Sequence, residues 1–295
     1  SNIILNFTID DISSLSCIKN NSILFIDKLI DFSKNPNILF VISKDIDPHN
    51  LKDFNYIQVS NISDSYNLIL NNIYYHEDNL NFPDDFELQN GSYISKYSNI
   101  HDSVEIGKNC VIGRGVIIDK NSIIKNNVVI KNCLIGENVI ICDNTSIGTT
   151  GFGFDFNKRG SNNLNPQIGI VYIDDNAHIG SNCTIDRAKI DTTYIGKNSM
   201  IDNLVHIAHN VYLSDNACIA AQSGISGSVI IGKNSTIGGQ SGFAGHINIG
   251  DNVVVAAKSG VTKNINNNST VAGFPATDIK EWKRSIIRQK KNGHK

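Results

Sequence analysis

Aliphatic residues fall at every sixth position through most of this 295-residue chain. The first run is Ile94, Ile100, Ile106, Ile112, Ile118, Ile124 and Ile130. The beat slips by one and continues through Ile135, Ile141 and Ile147, stops, and resumes at Ile173, Ile179 and Ile185. From Ile195 it runs through Ile201, Ile207, Leu213, Ile219, Ile225, Ile231, Ile237, Phe243, Ile249 and Val255 to Val261. Four residues after many of these comes a small or β-branched residue, as at Cys110, Val116, Ser122, Cys183, Ser199, Val205, Ala217, Ser235 and Ser241. Two inward positions in six suit neither a helix nor an ordinary strand. They suit a coil of short parallel strands, in which each hexad forms one flat face and residues one coil apart stack. Glycine or asparagine at the corners supplies the positive φ of tight turns.

Residues 1–91 do not follow the beat and read as a small α/β domain. Ile23 to Ile26, Ile38 to Ile42 and Tyr56 to Val59 are expected strands; Asp27 to Lys34 and Asp64 to Tyr75 are expected helices. Glu77 to Asn90, with Pro83 and several acids, reads as the linker. The repeat domain spans 92–275 and is broken by a loop at 149–165 carrying Phe152, Phe154 and Phe156 beside Lys158 and Arg159. A loop ejected from a regular solenoid is a common place for function. Residues 276–295 close the chain with a basic helix containing Trp282, Ile286 and Ile287, either a solvated face or a docking site for an acidic partner.

Composition narrows the function classes. The formal net charge is −2, and aromatic residues make up 7% of the chain, so neither a basic field nor stacking platforms invite nucleic acid. None of the six cysteines forms a CxxC pair, which argues against metal binding and redox exchange. Cys110 and Cys183 take the small inward site, and reduced thiols point to the cytoplasm. No uninterrupted apolar run is long enough for an integral membrane segment. Asparagine is abundant and is read here as turn tolerance.

Stacked aliphatics fill a solenoid, so chemistry must sit on an outer face or between copies of the chain. The densest polar interruption is Asp202-Asn203-Leu204-Val205-His206-Ile207-Ala208-His209-Asn210. The second is Ala244-Gly245-His246. His209 and His246 lie close to two coils apart and would project from nearly the same face. His206 and His178 read as surface or interface residues, and Asn203 as a substrate contact.

Gly151-Phe152-Gly153-Phe154, Pro166-Gln167-Ile168-Gly169, Thr184-Ile185-Asp186-Arg187, Ile201-Asp202-Asn203, Ile207-Ala208-His209-Asn210 and Gly245-His246 together resemble the UDP-3-O-(3-hydroxyacyl)glucosamine N-acyltransferases of lipid A biosynthesis. The resemblance covers about 92–275. It implies a left-handed parallel β-helix, a homotrimer with active sites between subunits, and His209 as general base. The task is the attack of a sugar 2-amino group on an acyl thioester, for which a neutral imidazole is suited. The resemblance assigns His246 to substrate binding or oxyanion support. The donor would be acyl carrier protein or acyl-CoA, the acceptor a nucleotide-linked amino sugar. Neither a metal nor a resident cofactor is expected, because a thioester is already activated.

Two positions depart from the family. Phe25 fits the first aromatic of its uracil site, but Lys28 and Asp31 fall where an asparagine and a second aromatic belong, with Phe32 one residue away. The carboxy-terminal extension is also short. These departures leave open a paralogue that acylates another nucleotide-linked amino sugar for a surface glycan. A non-catalytic trimeric scaffold is the rival from outside enzymology.

Overall fold

The structure is a computed structural model and describes residues 8–14, 18–28, 37–51, 54–74, 85–153 and 165–292. The chain divides into two compact units, Ser1–Leu80 with Gly153–Ile168, and Asn81–Phe152 with Gly169–Lys295.

The first unit holds a four-stranded parallel sheet, Asp11–Ser13, Ser22–Ile26, Ile38–Ser43 and Asn55–Val59, in sequential order. Leu24, Ile26, Ile38, Phe40, Ile42 and Leu51 form its core. Near-continuous apolar runs are what a parallel strand buried on both faces requires. Helix Ile62–Tyr74 follows, two residues ahead of the start its spacing predicts. Asn61 caps it: its side-chain oxygen accepts the Asp64 N–H at 3.1 Å. Asp11–Ser13 has no periodic signal and escapes the sequence reading. The expected helix from Asp27 lies almost wholly outside the described residues. Residues 165–166 belong to this unit, where Asn67 donates to the Asn165 side chain at 2.6 Å and the Tyr66 hydroxyl to the Pro166 carbonyl at 3.4 Å.

Among the described residues the second unit is a parallel β-helix built from three sheets of eight, ten and ten strands, in which strands pair with the strand one coil away except at two antiparallel pairs near its ends. Ile112, Ile130, Ile147, Ile185, Ile207, Ile225, Phe243 and Val261 stack in register through one face, all buried. Small inward residues fill the space beside a corner. Where they are hydroxylic, the hydroxyl joins the backbone: Ser235 Oγ donates to the Gly250 carbonyl at 3.0 Å and accepts the Val253 N–H at 3.1 Å. That explains how a polar side chain sits at zero exposure there. Cys110, Cys133 and Cys183 are free and buried, and burial pushes the Cys133 and Cys183 thiols up.

The register also explains the irregular beat. Val111 pairs with Val129, eighteen residues on, but Val129 pairs with Ser146, seventeen on. Thr184 pairs with His206, a coil of 22, because residues 188–191 bulge from the strand path. Coils then return to eighteen, His206 to Gly224 to Gly242 to Gly260.

Nearly every hexad turns its corner on a residue of positive φ, and one corner is asparagine along almost the whole helix. Asn198, Asn216, Asn234, Asn252 and Asn268 have φ between 54° and 59°. The first four each donate the side-chain amide to the next side-chain carbonyl at 3.0 to 3.2 Å, ending on Asn268. Asparagine therefore both tolerates the left-handed turn and ties coils together, which is more than turn tolerance.

One expectation is corrected at the start of the solenoid. The stretch read as linker carries strand Phe86–Gln89, which pairs antiparallel with Ser92–Ser95. Asn90 and Gly91, at φ 50° and 82°, make the two-residue turn that an Asn-Gly pair favours. At the other end helix Ile279–Asn292 follows Thr277–Asp278.

The corner geometry predicts an order of stability. At Asn234, glycine loses the ladder bonds alone, whereas alanine also adopts a left-handed conformation at about 1–2 kcal/mol. Urea unfolding should rank wild type above Asn234→Gly and Asn234→Gly above Asn234→Ala; alanine matching or exceeding glycine would contradict it.

Candidate active site

The regular coils that follow the 22-residue one carry a groove. On the face between two corners, the outward positions in register are Thr184, His206, Gly224, Gly242 and Gly260. Consecutive glycines lower the floor, leaving a cavity of about 710 Å³. His206 and His209 line it near Phe152, and Lys258 and Phe274 line it farther along. A Cβ on Gly260 would overlap the Phe274 ring, so Phe274 lies directly over that glycine.

His209 sits half-buried just before the corner residue Asn210, which has φ 59°. The bulge at 188–191 fixes Asn210: its Oδ1 accepts the Lys189 backbone N–H at 2.8 Å and its Nδ2 donates to the Ile190 carbonyl at 2.8 Å. Thr193 Oγ1 accepts the Asn210 N–H at 2.9 Å. Those contacts leave no freedom to exchange the amide oxygen and nitrogen. His209 Nδ1 is 3.1 Å from that same Oδ1, which can only accept. Nδ1 therefore carries the proton, and in the neutral ring Nε2 keeps a free lone pair. Nε2 lies over Gly227, where a Cβ would come within 2.7 Å of it. The arrangement is an oriented general base beside an open groove.

His206 is the second titratable group here. Its Nε2 is 3.0 Å from Asp186 Oδ2, and Asp186 is 4% exposed. Thr149 Oγ1 donates to the other carboxylate oxygen at 3.0 Å. The Asp186 hydrogen bond, helped by its charge and opposed by partial burial, holds the His206 pKa above the ordinary imidazole value.

The structure brings some of the expected residues together and not others. His209 and Phe152 line the groove. His246 is exposed at a corner with φ 60°, in the register of Asn210 rather than His209, and is not among the lining residues. Asn203 also stays outside it; its Oδ1 accepts the Ser181 N–H at 2.7 Å and joins two coils. Phe25 lies in the first unit, half-buried and edge-on to Tyr66 at 5.2 Å, with Lys28 exposed. Phe154, Asp31 and Phe32 lie outside the described residues. Sequence reasoning gave no role to Asn210 and read His206 as a surface or interface residue. The signal was the stacking of Ile185 on Ile207, which sets residues 184–188 beside 206–210.

Comparison with known proteins locates this arrangement. The bacterial transferase hexapeptide model (six repeats) matches residues 97–132 and 192–227, and the hexapeptide repeat of succinyl-transferase matches 228–263. Those stretches of the chain carry hexapeptide repeats.

Its curated relatives include UDP-3-O-acylglucosamine N-acyltransferases. The one from Desulfotalea psychrophila is 48% identical over 143 residues, 48% of this chain and 41% of that protein. The one from Leptospira biflexa is 46% identical over 80 residues, 27% of this chain and 22% of that protein. The matched stretches thus span less than half of those relatives. Among solved structures, the UDP-N-acetylglucosamine acyltransferase of Francisella novicida matches at 27% identity and TM-score 0.58, covering 63% of this chain and 67% of that one. Among the described residues, no helix is long and apolar enough to cross a membrane.

Two outcomes follow from the geometry. Gly227→Ala should displace the His209 ring while leaving the fold intact, visible as a moved imidazole in a crystal structure; an unmoved ring would refute the close approach. The Asp186–His206 pair raises a folded-state pKa above its unfolded value, so its stabilisation is full below the unfolded value and lost as pH rises through the folded one. The melting-temperature gap between wild type and Asp186→Asn should narrow with rising pH across that window, and a constant gap would deny the ion pair.

Proposed function

We propose that this protein is an N-acyltransferase that moves an acyl group from a thioester to the 2-amino group of UDP-3-O-acylglucosamine, a step of lipid A biosynthesis. The observation that carries the reading is His209, oriented by Asn210 with Nε2 bare over an open groove. The names of the relatives support the substrate, and the repeat fold supports the reaction class.

The amine lone pair forms the N–C bond to the thioester carbonyl, and His209 Nε2 takes the ammonium-type proton released. The tetrahedral intermediate collapses with cleavage of the C–S bond, and the departing thiolate receives that proton from the imidazolium. Oxyanion support falls to backbone N–H groups, and His246, which is not among the groove-lining residues, stays with substrate binding. Phe152 would flank the acceptor; Phe154, Phe25 and Asn203 stay with the substrate contacts named from the sequence. The basic helix Ile279–Asn292, with Lys280, Lys283, Arg284, Arg288, Lys290 and Lys291 against a single Glu281, favours an acidic acyl carrier protein over coenzyme A as donor. The assembly proposed is a homotrimer working in the cytoplasm, and no resident cofactor takes part.

A second reading keeps the chemistry and changes the acceptor to another nucleotide-linked amino sugar. Lys28, exposed where the family carries a uracil-binding asparagine, favours it.

Mass spectrometry of acyl transfer tests both. Wild type should acylate UDP-3-O-acylglucosamine from hydroxyacyl carrier protein, and His209→Ala should be slower by about 10²–10⁴-fold. Product only from a different amino sugar would support the second reading. Equal rates in the variant would defeat the base assignment.

A further inference from the structure

The groove has an electrostatic character that its base does not explain. Among the described residues its titratable lining consists of His206, His209 and Lys258, with no carboxylate, in a chain of net charge −2. Asp186 lies behind His206 rather than in the groove, 4% exposed and bonded to Thr149 Oγ1 and His206 Nε2. On the sheet His206 stands between Thr184 and Gly224, so no charged side chain flanks it in register. With Nε2 committed to Asp186, the protonated ring keeps its Nδ1–H as a donor, and its side chain is 51% exposed. Lys258 stands three coils along, roughly 14 Å at the inter-strand spacing, too far to share one small anion with it. His206 is therefore a ring fixed in orientation by a buried carboxylate that favours its protonated form, three residues from the base.

We propose that the Asp186–His206 pair is the seat for the phosphate carried on C1 of the amino-sugar acceptor. The inference rests on the acyl-transfer reading. In a nucleotide-linked 2-amino sugar the amine and the glycosyl phosphate sit on adjacent ring carbons. A base that receives a proton from the amine must then have the phosphate within a few bond lengths of it. His206 and His209 line one end of one groove, which matches that requirement. An imidazolium backed by a carboxylate donates a charge-assisted hydrogen bond to a phosphate oxygen. Asp186 cannot compete for the phosphate, because it is turned inward and already bonded. The division of labour follows from the partners: Asp186 holds a proton on His206, while the Asn210 amide oxygen takes Nδ1–H of His209 and leaves Nε2 facing the groove. His206 is thus a substrate-positioning residue and takes no part in the proton transfer.

The donor's phosphopantetheine arm carries the same chemistry, so the test separates the two sources. Isothermal titration would compare glucosamine 1-phosphate with glucosamine, and pantetheine 4′-phosphate with pantetheine, on wild type, His206→Gln and Asp186→Asn. Wild type should prefer glucosamine 1-phosphate over glucosamine. Either variant should reduce that preference about tenfold, the size of one charge-assisted hydrogen bond. The preference should also weaken with added salt. A preference that survives His206→Gln, one confined to the pantetheine pair, or none in wild type would each overturn the proposal. Should a variant fail to fold, nitrogen-15 shifts of His206 in wild type decide instead. They should move with glucosamine 1-phosphate and not with glucosamine, and unmoved signals would overturn it. Phosphate-dependent binding without acyl transfer would defeat the enzymatic reading alone; acyl transfer without it would defeat this seat alone.

Discussion

The left-handed corner is the constraint on which this structure depends. A strand of two or three residues cannot hold itself; it persists because it pairs with identical strands on both sides and because each corner redirects the chain by a fixed angle. That redirection requires a residue of positive φ about once per hexad, a conformation that costs most side chains but costs glycine and asparagine little. Asparagine adds a second service, since its amide hydrogen-bonds to the asparagine one coil away. The ladder from Asn198 to Asn268 thus aligns the coils in the same step that turns them. With coils aligned, the aliphatic stacks are buried without a gap, and outward side chains fall into straight columns.

The groove arises where this regularity is relaxed. Beside it the corners carry Leu204, Gln222, Ser228, Gln240, His246 and Lys258 in place of asparagine, all still at positive φ. The column between those corners changes from Thr184 and His206 to three glycines. The 22-residue coil before His209 contributes the other element. Its bulge offers one N–H and one C=O to Asn210 at a spacing a regular eighteen-residue coil lacks. A local lengthening of the backbone thereby sets the tautomer of a histidine twenty residues later.

Much of the solenoid is legible in the chain because its inward positions are aliphatic at a period no other element shares. The parallel strands of the first unit are legible for a similar reason, as continuous apolar runs. What escaped reading depends on register rather than type. Phe86–Gln89 looked like linker because its burial comes from pairing after a tight turn, although Asn90-Gly91 marks that turn. Asparagine looked like tolerance because a ladder is visible only once coil lengths are known. At the site, His209 was legible through its motif, whereas Asp186 and His206 meet only because a 22-residue coil sets them side by side. His246 shows the same limit from the other side: a separation of 37 looks like two coils, yet one residue of phase sends it to the corner.

The position of the His209 proton decides whether the groove holds a base. Long-range hydrogen–nitrogen correlation of nitrogen-15 histidine-labelled protein reads which ring nitrogen is protonated in the neutral form. Clamped by Lys189 and Ile190, Asn210 should impose the Nδ1–H tautomer on His209, with Nε2 bare toward the groove. A neutral His209 protonated at Nε2 would contradict the central claim, because the nitrogen facing the groove would then have no lone pair to accept a proton.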